Sequence, residues 1–182
     1  MTKGKYTKGF TLVELLVVIA IIAVLAGALF MVINPARLLA KTRDSTRIAE
    51  ITEVNKAIAA ALADGRIVLA ARAVNATDNT AANRVVTGTG WVGFTPATGT
   101  TVGLGDYLPS LPDDPRTTEV LGTGTYHYRF TSTLLGWKLG AYLESLDNAA
   151  LGTNDGGTQN TCTTMPALAC SYEVGTILTL AI

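Results

Sequence analysis

One histidine and two cysteines in 182 residues leave little from which to build a metal centre. No nucleophile elbow, no phosphate-cradling glycine motif and no paired carboxylates at a recognisable spacing occur, so the sequence offers no catalytic set and predicts a non-enzyme. Charge is scarce as well. Charged residues make up 15%, well under the usual quarter, and 14 Lys plus Arg stand against 14 Asp plus Glu. That balance excludes both a basic nucleic-acid footprint and an acidic disordered tail. Apolar residues are plentiful at 48%, and the missing charge is concentrated: none lies between Leu15 and Ala36.

Leu15 to Ile33 is a run of 19 consecutive apolar residues. At about 1.5 Å per residue, such a helix crosses a hydrocarbon core of roughly 30 Å. A helix is also the conformation that pairs every backbone N–H and C=O within one segment in lipid. Lys3, Lys5 and Lys8 precede the run, with no acid among the first nine residues. The positive-inside bias therefore predicts a cytoplasmic amino end, with everything after Pro35 outside. The alternative is a secretory signal peptide cut near Ala26-Gly27-Ala28. Against it stand Glu14 at the start of the run and a helical pattern that continues past the supposed cut.

The segment Lys8-Gly9-Phe10-Thr11-Leu12-Val13-Glu14 resembles the processing motif of type IV prepilins and of the pseudopilins of type II secretion. The resemblance implies cleavage between Gly9 and Phe10 by a membrane prepilin peptidase, N-methylation of Phe10 by the same enzyme, and a role in assembly for Glu14. A carboxylate at the edge of an apolar helix is costly in hydrocarbon unless paired. After cleavage the free amine of Phe10 supplies a cation, within the subunit or from a neighbour, and a subunit at the wrong height leaves a charge buried alone. Losing residues 1–9 removes three basic residues, leaving 11 basic against 14 acidic.

Four regions follow: a leader over 1–9, a transmembrane and assembly helix over 10–35, an amphipathic helix over 36–64, and an extracytoplasmic head over 65–182 that packs on 36–64. Asn34-Pro35 predicts a kink, a melted turn or a plain break near Met31 to Pro35 in an otherwise continuous helix over 10–64, about 80 Å long. In the amphipathic part, Ile48, Ile51, Asn55, Ile58 and Leu62 form one stripe, while Arg43, Asp44, Arg47, Glu50, Glu53 and Lys56 are expected to cover the rest. Asp64-Gly65 signals the helix stop. Residues 75–103 read as loop with short irregular strands, and Leu108 to Pro115 as a turn-rich segment pinned on the core.

Strand signals come from Tyr126, Tyr128 and Phe130, alternating with His127 and Arg129, from Trp137, Leu139, Ala141 and Leu143, alternating with Lys138 and Glu144 on the polar side, and from Tyr172, Val174, Leu178 and Leu180; the loop containing Gly136 is short enough for a hairpin between the first two. The expected fold is α+β: a long amino-terminal helix packed on a small antiparallel sheet with one apolar face, in the pilin-like order. Cys162 and Cys170, with seven residues between them, lie in the part expected outside, where a disulfide is favoured. Type IV pilins often carry such a loop near the carboxyl end, and this leans toward a pilin. Asp147 and Asp155, with Asn148, Asn154 and Gly156, are weak calcium candidates, since oxygen ligands of this kind bind calcium in some pseudopilin heads. Turn-forming loop residues are the alternative, and no other cofactor is expected.

The chain therefore reads as a structural subunit of a type IV pilus-like filament. The alternatives are a type II secretion pseudopilin acting in a periplasmic piston, and a membrane-anchored binding module. The resemblance implies as partners the prepilin peptidase, copies of the chain and other pilins, an inner-membrane assembly platform with its ATPase motor, and membrane lipid before assembly. With six basic and nine acidic residues over 65–182, no direct contact with nucleic acid is expected.

Overall fold

In the computed structural model, which describes residues 9–76, 84–99, 102–116, 120–121, 124–163 and 170–181, the apolar run folds as helix α1, Leu12–Val32. It is the one helix among the described residues long and apolar enough to cross a membrane. Its Leu12–Leu29 window has a mean hydropathy of 2.9 and no residue buried within the chain. The helix ends at Ile33, whose backbone is extended (φ −94°, ψ 112°). A second helix, α2, then runs over Pro35–Ala63. The single helix expected over 10–64 is thus two, and the break has a local cause. The Asn34 side chain accepts the Arg37 N–H at 3.2 Å, and Pro35 occupies the first helical position, where its missing N–H leaves no bond unmade.

The chain divides into two compact units, Met1–Leu38 and Leu39–Ile182. In the second, α2 buries Ile51, Val54, Ala57, Ile58 and Ala61, each at most 5% exposed. The expected stripe is rotated: Ile48, Asn55 and Leu62 flank the buried face instead of centring it. Asn55 is polar for a reason, since its Oδ1 accepts the Trp137 indole N–H at 2.9 Å. Burying an indole without such a partner is costly. The helix stops at a Schellman turn, with Gly65 at φ 64°. There the Arg66 N–H reaches the Ala61 carbonyl at 2.8 Å and the Gly65 N–H that of Leu62 at 3.1 Å.

The strands are β1 (Ile67–Val68), β2 (Arg72–Ala76), β3 (Thr95–Pro96), β4 (Val120–Leu121), β5 (Gly124–Thr125), β6 (Tyr128–Ser132), β7 (Trp137–Tyr142) and β8 (Ser171–Gly175). The main sheet is antiparallel, in the order β2-β6-β7-β8. Phe130 faces Leu139, and Leu139 faces Val174 across the ladder. Tyr128, Phe130, Trp137, Leu139 and Ala141 join the α2 face, Trp91, Val92, Phe94, Leu104, Leu108 and Leu111 in one core. The expected β6–β7 hairpin forms, and so does the pinning of Leu108 to Pro115. The third strand is shorter than expected: Leu178 and Leu180 lie beyond β8, which ends at Gly175. The sheet is also buried on both faces, because the segment after the short helix α3 (Ala149–Thr153) covers the charged side. Lys138, Arg129 and Glu173 are each at most 3% exposed. The Lys138 ammonium meets Glu173 Oε1 at 2.9 Å, Thr158 Oγ1 at 2.8 Å and the Leu178 carbonyl at 3.0 Å. Arg129 stacks on the Tyr142 ring at 4.0 Å.

Cys162 and Cys170 form a disulfide, packed with Leu143, Ile48, Ala149 and Tyr172. Gly152 lies so close that a Cβ there would sit 3.2 Å from both sulfurs. Replacing both cysteines by serine should lower stability to urea by about 2–3 kcal/mol, from loop-closure entropy alone. A loss under 1 kcal/mol would show that the cross-link adds little to the packing of Cys162 and Cys170 against Leu143.

Candidate processing and assembly site

The amino-terminal site is built by a helix start. Thr11 is extended (φ −80°, ψ 154°) and caps α1. Its hydroxyl accepts the Glu14 N–H at 3.2 Å, and the Glu14 carboxylate accepts the Thr11 N–H and hydroxyl, both at 2.8 Å. This reciprocal pairing is a capping box, which satisfies orphan donors of the first turn. Glu14 is therefore not a bare charge at the edge of lipid; it is held in place by the residue that starts the helix. Phe10 stands one residue before the cap with 92% of its surface exposed, and Gly9 is exposed beside it. Lys3, Lys5 and Lys8 lie outside the described residues. Along α1 the large side chains from Leu12 to Leu29 are exposed. Apolar surface of this extent has to be covered by lipid or by other chains.

The second cluster lies in the head, and the sequence places its Arg43, Asp44 and Arg47 among the residues expected to cover the outer side of α2. Asp44 and Arg47 are both 0% exposed, which corrects that expectation. Arg47 grips Asp114 through two parallel bonds of 2.8 Å. It also meets Asp44 Oδ1 at 2.9 Å and forms an ion pair with Glu144. Asp44 in turn accepts the backbone N–H groups of Glu144 and Ser145 at 2.9 and 2.8 Å. Arg43 and Arg116 reach Glu144 at 2.6 and 2.7 Å. Arg43 and Arg47, one turn apart, thus share Glu144 as their counter-charge. The Tyr126 ring lies under the guanidinium groups of Arg47 and Arg116, at 4.7 and 5.1 Å. Three carboxylates and three guanidiniums balance, which is the condition for burying them.

The environment divides the acids. Burial pushes the Asp44 carboxyl up, against the backbone N–H bonds from Glu144 and Ser145 and the Arg47 charge. Burial also opposes ionisation of Glu144, but Arg43, Arg116 and Arg47 outweigh it and hold the carboxyl below the ordinary glutamate range. Burial and the neighbouring Glu144 charge push the Tyr126 hydroxyl up to about 12. These are the properties of a structural clasp joining α2 to the segments around Asp114 and Glu144.

The structure does not gather the calcium candidates. Asp155 accepts the Gly157 N–H at 2.8 Å and the Glu173 N–H at 2.6 Å, so its two oxygens hold the turn against β8. Asn148 donates to Asp44 at 3.3 Å, and Asp147 sits in a single turn of tighter helix over Leu146–Asn148, its N–H on Ser145 Oγ. No group of three or more His, Cys, Asp or Glu able to hold a metal ion occurs among the described residues.

The sequence reading missed two site features, the capping box and the buried clasp. The first has a sequence signature, Thr-x-x-Glu ahead of an apolar run. The second lies in the spacing of 44, 47, 51, 54, 58 and 61, where charged residues hold the first two places of an otherwise apolar ladder.

No curated protein and no solved structure matches the chain. The family model of the prokaryotic N-terminal methylation motif matches residues 4–30, the span that holds Lys5 and Lys8, Gly9, Phe10, the Thr11–Glu14 cap and most of α1. At its amino end the chain carries the signature of the type IV pilins and pseudopilins.

Proposed function

We propose that this chain is a structural subunit of a type IV pilus-like filament. It is cut between Gly9 and Phe10 by a prepilin peptidase, methylated on Phe10 and held in the membrane by α1 with the head outside. An assembly platform and its ATPase motor then extract it, and it polymerises with copies of itself and other pilins through α1. The observation that carries this reading is the α1 surface: an uncharged helix after its first turn, unburied in its own chain over Leu12–Leu29, and lying largely within the match to the methylation motif. A helix whose every side needs cover suits lipid first and a bundle of like helices afterwards, and heterologous contacts that do not close build a filament. The Cys162–Cys170 bridge favours a pilus over the piston of a secretion machine.

Intact-mass measurement of the mature protein tests processing. The expected mass begins at Phe10 and carries one added methyl; a chain beginning at Leu29 overturns the reading in favour of signal-peptide cleavage. Extracellular filaments containing the chain distinguish a pilus from a pseudopilin, for which exoprotein release without such filaments is the expected result.

A further inference from the structure

On the covered face of the sheet, Lys138 of β7 and Glu173 of β8 are diagonal neighbours. Lys138 lies opposite Gly175 and Glu173 opposite Gly140, so the two side chains share a face and reach each other across the ladder. Both side chains are fully buried, with the lysine nitrogen 2.9 Å from Glu173 Oε1. This close approach is not an aligned hydrogen bond, for Oε1 is a buried oxygen without a hydrogen-bond partner. The nitrogen is steered by two other acceptors, Thr158 Oγ1 at 2.8 Å and the Leu178 carbonyl at 3.0 Å. Oε2 is served differently. It accepts the backbone N–H of Thr158 and, at 3.3 Å, that of Gln159. Gly157 leaves room for this cradle, since a Cβ there would overlap the carboxylate.

We infer that Lys138 and Glu173 condense into an intramolecular amide, a covalent rung between β7 and β8. A buried ion pair kept for charge alone is stable when its remaining lone pairs are hydrogen-bonded; here one oxygen is left bare beside the amine, and the other faces two N–H donors. In the condensation, a proton first passes from the ammonium to Oε1, leaving a neutral amine and a carboxylic acid. The amine nitrogen attacks Cδ, and the negative charge that develops on Oε2 is met by the Thr158 and Gln159 N–H groups, as in an oxyanion hole. The bond from Cδ to Oε1 then breaks, and the departing hydroxyl takes a second proton from nitrogen and leaves as water. One amide forms, one water is lost and nothing is oxidised. Held at contact distance, oriented groups react as if at about 10⁵ M or more. Replacing two buried charges by a neutral amide also removes the desolvation that the pair has to offset. The one N–H left on the amide still serves the Leu178 carbonyl. The rung fastens β8 beyond the Cys162–Cys170 bridge, by a bond that reduction does not open, and it is independent of the filament reading.

Intact mass and peptide mapping of the full mature chain, after reduction of the disulfide, test this. The expected mass is one water below that of the processed chain, and digestion should release a branched peptide joining the segments that hold Lys138 and Glu173. The amino-terminal peptide reports processing separately, so failure of either reading is distinguishable. Lys138→Arg keeps the charge but has no amine to acylate, and should restore the missing water and abolish the branch. A chain of full mass with Lys138 and Glu173 in separate linear peptides overturns the inference. So does a water loss that maps to Asp155-Gly156, where ring closure of the aspartate onto the following backbone nitrogen gives the same mass without a branch.

Discussion

Arg47→Ala should destabilise the folded head by about 3–5 kcal/mol, the range for removing one partner of a buried ion pair, and should reverse the head's response to acid. In the native chain Arg47 is the common cation of Asp44, Asp114 and Glu144. Glu144, held below the ordinary glutamate range, contributes stability that is complete above about pH 4.3 and is lost as pH falls through its lower folded value. Asp44, pushed up by burial, works the other way, since its folded form takes up a proton before the unfolded form does. Without Arg47 the second behaviour dominates. Asp44 loses its guanidinium, burial then acts on it without that opposing charge, and protonation relieves the strain. The variant should therefore gain stability relative to the native chain as pH falls toward the ordinary aspartate value of about 3.9. Trp91 and Trp137, the only tryptophans, lie in the head core, so their fluorescence during urea unfolding of the detergent-solubilised chain reads both quantities. A loss under 1 kcal/mol, or a gap that widens in acid, would falsify the clasp. Arg47→Lys should fall between the two, because an ammonium cannot make the paired bonds to Asp114.

How far the sequence reveals this fold depends on whether the needed partner is near in the chain. The apolar segment, the Gly65 stop, the β6–β7 hairpin and the disulfide were legible because each rests on composition or on residues a few places apart. Asp44 and Arg47 were misplaced for the opposite reason. Asp114 is 67 residues from Arg47 and Glu144 is 100 from Asp44, and charged residues without visible partners are read as solvated. Spacing alone would have put them on the buried face. Arg129 and Lys138 were read as the wet side of an alternating sheet, a sound inference for a sheet covered once. Here the turn-rich stretch after α3 forms the cover, and its Thr158 and Gln159 carry no hydrophobic pattern to announce it. β2 escaped notice because Arg-Ala-Val-Asn-Ala has no strong strand former besides Val74. Asp155 shows the limit for candidate sites: an acid in an Asn/Gly loop is equally a metal ligand or a turn cap, and only the N–H groups aimed at it decide.

Glu14→Gln should abolish filaments while leaving the mature mass at Phe10 plus one methyl, and comparison with Glu14→Ala gives that result its meaning. The carboxylate has two separable properties. As an acceptor it completes the capping box with Thr11, for which a glutamine amide oxygen serves as well. As an anion it can answer the Phe10 amine created by cleavage, which an amide cannot. If capping were its only role, the glutamine variant would assemble normally and the alanine variant would lose about 1 kcal/mol of helix stability. If charge is the requirement, both variants fail to assemble to the same extent despite their different helix starts. In a bundle of apolar helices an amine without a counter-charge costs several kcal/mol, enough to suppress assembly even when the cap is intact. Thr11→Val supplies the complementary case. It removes the hydroxyl from the cap but leaves the anion, the Thr11 position's backbone N–H and the new amine, so filaments should persist with a modest loss of yield. Normal assembly of the glutamine variant together with failure of Thr11→Val would move the role of Glu14 from charge pairing to helix initiation.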